Sequence, residues 1–206
     1  MSSSTSDYLR SILDKIKNID YIKPEDIPNI ELYMDQVTTF MDEHLASTKR
    51  YDSDKILTKT MINNYAKNDL LPPPVKKKYS KEHMLLLIFI YYFKNILSIT
   101  DIQNLLTPLT EKYFDSHVGM NLQDIYNEVF SFEKEQADRL VKDILSEYKK
   151  AFTSFSDAPE EDKEFLHLFS FICMLSFDVY VKKLLIEKLV DDIVNPGTVS
   201  KKDKAR

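Results

Sequence analysis

Only Gly119 and Gly197 supply glycine in a chain of 206 residues. Glycine is the residue that enters left-handed backbone without steric cost, so the tight hairpins and phosphate-cradling loops that depend on it are nearly unavailable. A sheet-rich fold is thereby disfavoured. Apolar residues recur instead at spacings of three and four, the period of helices with one apolar face, and the fold class expected is all-α. At 43% hydrophobic residues, the chain can fill one sizeable core or two small ones.

Composition also narrows the functional classes. The start, MSSSTSDY, lacks the basic and apolar regions of a signal peptide. The apolar runs Met84 to Phe93 and Phe165 to Phe177 are shorter than the roughly 18 residues a membrane span needs. No membrane attachment is expected, and a cytoplasmic location is. Cys173 is the lone cysteine, and its neighbours Phe171, Ile172, Met174 and Leu175 suggest a buried, inert thiol. His44, His83, His117 and His167 show no metal-ligand spacing, and no Walker loop, nucleophile elbow or Gly-rich dinucleotide turn is present. The expectation is a non-enzymatic protein without cofactor or metal.

Charge is distributed unevenly. Between Lys49 and His83 nine Lys or Arg face four acids, a window of +5, whereas the whole chain carries −5 and the remainder therefore −10. Such an asymmetry suggests one surface for a polyanion on an acidic body. Within the window Thr58 is a good N-cap, and the residues up to Lys67 can form a helix with Ile62, Tyr65 and Ala66 on one face. Lys59, Asn63 and Lys67 line the opposite face, flanked by Thr60 and Asn64. Lysine contacts phosphates and asparagine pairs bidentately with adenine, so this face suits a major groove; plain helix-surface polarity explains it too. Leu70 and Leu71 then return to the core, and Pro72 to Pro74 hold the chain extended. Lys76, Lys77 and Lys78 follow on a stiff projection with Tyr79 at its base, and Ser80 can cap an apolar helix, HMLLLIFIYYFKN.

The order TKTMINNYAKNDLLP, a basic wing ending in Tyr79, a long apolar helix and then LSITDIQNLL resembles the winged helix-turn-helix of MerR-type regulators. That pattern has a recognition helix with two tyrosines, Gly-Leu-Leu, an Arg-Tyr wing, and a helix opened by Ser-Leu-x-Glu-Ile. More closely, the stretch from Ile27 to Leu109, with IPNIELYMDQVTTFM, LTKTMINNYAKNDLLPPPVKKKYSKEHM and LSITDIQNLL, resembles the bacterial family catalogued as DUF 1836, regarded as MerR-like transcriptional regulators. The resemblance implies a DNA-binding site at Lys59, Thr60, Asn63, Asn64, Tyr65, Lys67, Lys76, Lys77, Lys78 and Tyr79. Asn63 falls where the MerR-type pattern has its DNA-contacting Arg, Asn64 and Tyr65 at the two tyrosines, and Lys77 to Tyr79 at the wing. The helix ELYMDQVTTFMDEHL would be the first of the motif, joined to Thr58 by the polar link ASTKRYDSDK.

Further on, Ser98 with Asp101 comes close to a capping box, and Pro108 is expected to kink or end its helix. Residues 122–151 read as one amphipathic helix or two, and a final helix as running from about Glu160 to about Val194, stopped by Asn195, Pro196 and Gly197. The expected organisation is an N-terminal extension (1–26), a MerR-like winged helix-turn-helix domain (27–118), a helical dimerisation or effector domain (119–197) and a disordered polar tail (198–206). Aromatics of the C-terminal half, among them Tyr126, Phe152, Phe165, Phe169 and Phe171, could line a small-molecule effector pocket or simply form core and interface. The function expected is that of a sequence-specific, homodimeric regulator of transcription bound to double-stranded DNA. The alternative is a protein-interaction module on a degenerate helix-turn-helix.

Overall fold

In the computed structural model, which describes residues 3–17, 22–116 and 118–196, the chain is mostly helical. His117, Gly197 and the polar tail lie outside the described residues. Eight helices are described: α1 (Ser3–Lys17), α2 (Met34–His44), α3 (Lys59–Lys67), α4 (Lys81–Phe93), α5 (Ile99–Tyr113), α6 (Leu122–Ser131), α7 (Glu133–Ala151) and α8 (Glu160–Val194). Two short strands, β1 (Leu32–Tyr33) and β2 (Lys78–Tyr79), pair antiparallel, Leu32 with Tyr79 and Tyr33 with Lys78. Contacts group the chain into two units, one of residues 1–21 and 129–185, the other of 22–128 and 186–206. The division after 128 falls within α6, most of which groups with the preceding elements.

The second unit is organised around α4. Nine consecutive residues, His83 to Tyr91, are buried, which a helix achieves only when neighbours cover every side. Tyr126 of α6 stands edge-on to Phe89 at 5.4 Å, and its hydroxyl donates to the Ile22 carbonyl at 2.7 Å. One side chain thus joins the start of this unit to α6. Between the polar link and α3, Ile56 and Leu57 are buried, and Lys94 Nζ donates to the Ile56 carbonyl at 2.6 Å. Burial lowers the Lys94 pKa, while the Tyr91 ring, 4.6 Å from Nζ, offers the cation its π face.

Local chemistry sets the helix starts. The Thr58 hydroxyl accepts from the Met61 N–H at 3.2 Å, and the Ser98 hydroxyl from the Asp101 N–H at 3.1 Å, with Asp101 reaching back to the Ser98 N–H. At α2 the Gln36 side chain accepts from the Tyr33 N–H, so the helix opens at Met34; Leu32 and Tyr33, expected inside it, are strand instead. Pro108 does not end α5, which continues to Tyr113. A proline removes the N–H that would pair with the Asn104 carbonyl; the Thr107 and Thr110 hydroxyls donate to other carbonyls, those of Gln103 and Leu106. Residues 122–151 form two helices, divided at Phe132.

The first unit pairs α1 with α7 and buries Tyr148, Ala151 and Phe171 against Leu9, Ile144, Phe152, Met174 and Leu175. Cys173 is exposed, contrary to expectation. Its apolar neighbours in sequence are spread around the helix, and only Phe171 of them is buried.

Candidate nucleic-acid interface

The basic island folds into α3, a proline stem and a two-residue turn. On α3, Lys59, Thr60, Asn63, Asn64 and Lys67 are all exposed, while Ile62 and Tyr65 face the core. Tyr65 is 6% exposed, so its assignment as a contact residue is corrected: one face of a short helix must bury, and Tyr65 shares that face with Ile62. Burial raises its pKa. The helix closes on Asp69, whose φ of 54° is left-handed, so that the Leu70 and Leu71 N–H groups both turn back to the Tyr65 carbonyl. Leu70 and Leu71 then enter the core.

After Pro72 to Pro74 the chain reverses between Val75 and Lys78, which exchange two backbone hydrogen bonds of 3.0 and 3.1 Å. The turn residues Lys76 and Lys77 have φ of 51° and 66°. Positive φ at both central positions is the geometry that favours Asn-Gly, and lysine there costs about 1–2 kcal/mol per residue. A glycine-poor chain has placed two exposed lysines in backbone that glycine prefers. Tyr79 is buried at the base and positions the turn without reaching its surface.

Acids lie among these lysines. Lys59 pairs with Asp35 of α2, and Lys78 stands 3.7 Å from Glu31 and 5.6 Å from the centre of the Tyr33 ring. Both ion pairs are largely exposed, so each is worth roughly 0–1 kcal/mol and exchanges readily for another anion. The sequence offered no signal for these partners, because β1 and α2 reach the island only through tertiary structure.

Behind the turn lies His83. Its Nδ1 sits 3.0 Å from both the Ser80 N–H and the Ser80 hydroxyl, doing at the third helical position what Glu or Gln does in a capping box. The ring packs edge-on to Tyr79 and Phe114 at 5.4 and 4.8 Å, and its Nε2 is buried. Burial lowers the His83 pKa, opposed by the Pro73 and Pro72 carbonyls and by Glu82 and Asp115. Sequence reading treated His83 as one of four scattered histidines; its place three residues after Ser80 was the available signal.

In the first unit, a hollow of about 320 Å³ is lined by Leu9, Arg10, Leu13, Asp14, Val141, Leu145 and Tyr148. None of the aromatics expected to line a pocket is among them: Tyr126 and Phe171 are core, and Phe165 and Phe169 are exposed. Among the described residues no helix is long and apolar enough to cross a membrane.

These features define a mainly helical protein in which a compact unit carries an exposed helix beside a basic turn. Residues 22–129 match a domain of unknown function, DUF1836; the match spans more than half of the chain, which therefore belongs to that family. No curated protein and no solved structure matches it.

Proposed function

We propose that the chain is a sequence-specific DNA-binding regulator of transcription that acts as a dimer, by binding and not by catalysis, with α3 as recognition helix and the Lys76–Lys77 turn as a MerR-like wing. The observation that carries the reading is the strained lysine pair: a turn needing positive φ twice, filled by two exposed cations, is a costly arrangement that an anionic partner would reward. Other details support it. Asp69 takes left-handed backbone where the MerR-type pattern has glycine, and the Ser98–Asp101 box opens the helix where that pattern has Ser-Leu-x-Glu. Lys59, Lys67 and the turn lysines would bind phosphates, Asn63 and Asn64 would read base edges, and Thr60 would join them at the rim of the groove.

The test is selection of short genomic duplexes by the purified protein, followed by titration at several salt concentrations. Lys67, Lys76 and Lys77 alone would give a log–log slope of about −3 per subunit, approaching −4.5 if Lys59 and Lys78 leave their carboxylates for phosphates. Lys77→Glu with Lys78→Glu should abolish binding at unchanged helicity, and Asn63→Ala should relax the selected sequence. Binding that survives the double reversal removes the wing from the reading. The ion pairs Lys59–Asp35 and Lys78–Glu31 favour one alternative, a mixed-charge protein partner, for which no duplex would be enriched.

A further inference from the structure

We infer that Glu31 and Asp35 are specificity-determining residues, an acidic strip built into the interface that holds Lys59 and Lys78 back from any polyanion that does not fit. Both acids come from one short segment, which runs through β1 into the first turn of α2. Asp35 pairs with Lys59 at the start of α3, and Glu31 stands 3.7 Å from Lys78 at the end of the basic turn. One segment therefore reaches both halves of the basic island. It is also fixed in place. Leu32 pairs with Tyr79 and Tyr33 with Lys78 across the two strands, the Gln36 side chain accepts from the Tyr33 N–H at 2.8 Å, and the Tyr33 ring centre lies 5.6 Å from Lys78 Nζ.

Magnitudes decide what such a strip does. The side chains are 59% and 75% exposed in the Lys59–Asp35 pair, and 36% and 53% in the Lys78–Glu31 pair. Pairs this open add little to folding stability. Asp35 in the first turn of α2 also suits the helix dipole, but Glu31 lies outside any helix and has no such role. Against a phosphate surface the same carboxylates matter more. Nonspecific affinity grows with the number of lysines that displace counterions, by about eightfold per lysine at roughly 0.1 M salt. Lys67, Lys76 and Lys77 have no ion pair among the described residues, whereas Lys59 and Lys78 must first leave a carboxylate. A polyanion that touches the island loosely gains only the first three. One whose phosphates follow both α3 and the turn displaces the acids and gains all five. Discrimination thus comes from a repulsive element set against the wrong partner, beside any contact with the right one.

This rests on the DNA-binding reading, and the decisive titrations use random-sequence duplex, so the two can fail separately. Glu31→Gln with Asp35→Asn should tighten random duplex by roughly tenfold or more at about 0.1 M salt, and steepen the log–log salt slope from about −3 to about −4.5 per subunit. A selected duplex should gain only about threefold, since its phosphates already draw both lysines off weak surface pairs. Glu43→Gln with Asp52→Asn removes the same charge from acids that pair with neither lysine, and should leave the random-duplex slope unchanged. Circular dichroism checks that each variant keeps its helix content. Should Asp35→Asn loosen α2, Glu31→Gln alone should still steepen the slope by about 0.9. An unchanged slope in the paired-acid variants, or no binding of random duplex by any form, overturns the inference. So does equal steepening in the control, or an equal gain on random and selected duplex. If selection enriches no sequence, the proposed function falls, and the random-duplex slopes still decide whether the strip holds the lysines back.

Discussion

Helices α4 and α8 are both rich in Leu, Ile and Phe, yet they meet opposite environments. In α4 nine residues in succession are buried; in the first half of α8, of the apolar residues between Phe165 and Phe177, only Phe171 falls in the buried core. Apolar density alone therefore does not say what covers a helix. Other elements of the same unit pack around α4, whereas α8 keeps many of its apolar residues exposed. Identical truncations should separate them. Leu86→Ala in α4, where Leu86 is fully buried, should cost about 2–5 kcal/mol. Ile172→Ala in α8 should stay within about 0.5 kcal/mol when unfolding is measured at concentrations that keep the chain monomeric. Equal losses in urea titrations would erase the contrast.

The contrast sharpens at the shell around α4. The Tyr126 hydroxyl is buried and spent on the Ile22 carbonyl, so Tyr126→Phe should cost about 1–3 kcal/mol, the penalty of a buried carbonyl left unpaired. Tyr180 on α8 is 58% exposed, and its Phe variant should unfold with the native midpoint.

What sequence could reveal divides along the same line. Thr58 and Ser98 were legible as caps because the hydroxyl and the N–H it accepts are three residues apart, and α8 ended where Asn195 and Pro196 said it should. Periodicity likewise announced the buried face of α3, although the family resemblance drew Tyr65 of that face into the site. Distance in the chain defeated the rest. Nothing in TKTMINN names Asp35 as the partner of Lys59, and α1, read as an extension, is a helix against α7. Pro108 was expected to kink or end α5, and the helix runs on past it to Tyr113. Glycine scarcity did not abolish hairpins; it moved lysine, aspartate and phenylalanine, at Lys76, Lys77, Asp69 and Phe155, into left-handed backbone.

That displacement is itself testable at the entrance to α4. Lys76→Asn with Lys77→Gly gives the turn the residues its geometry prefers, and should stabilise the fold by about 1–2 kcal/mol in thermal or urea unfolding. Duplex binding should fall in the same variant because two phosphate contacts are lost. Stability and affinity moving in opposite directions would mark the strain as functional. If both rise together, the lysines serve only as turn residues. No such turn leads into α8, where Phe155 is the left-handed residue upstream and carries no charge to trade.

The smallest effect separates the two helix starts by pH. At α4, burial puts the folded-state pKa of His83 below its ordinary 6.5. The unfolded chain therefore takes up a proton on this side chain first as pH falls, and stability declines between 6.5 and the lowered folded value, then levels off. One group limits the slope to about 1.4 kcal/mol per pH unit. The realised slope is smaller, since the Pro73 and Pro72 carbonyls, Glu82 and Asp115 partly offset the burial. His83→Gln keeps an acceptor for the Ser80 N–H in the capping box and has no proton to gain, so the decline just below pH 6.5 should vanish while stability at pH 8 is retained. At α8 the first-turn Glu160 is held below its ordinary value by its hydrogen bond to Lys163, so it titrates in the carboxylate range or lower and contributes nothing near 6.5. A decline that persists in His83→Gln would place the responsive group elsewhere. A decline that disappears would show that the imidazole beneath Tyr79 ties the basic turn to the start of the buried helix.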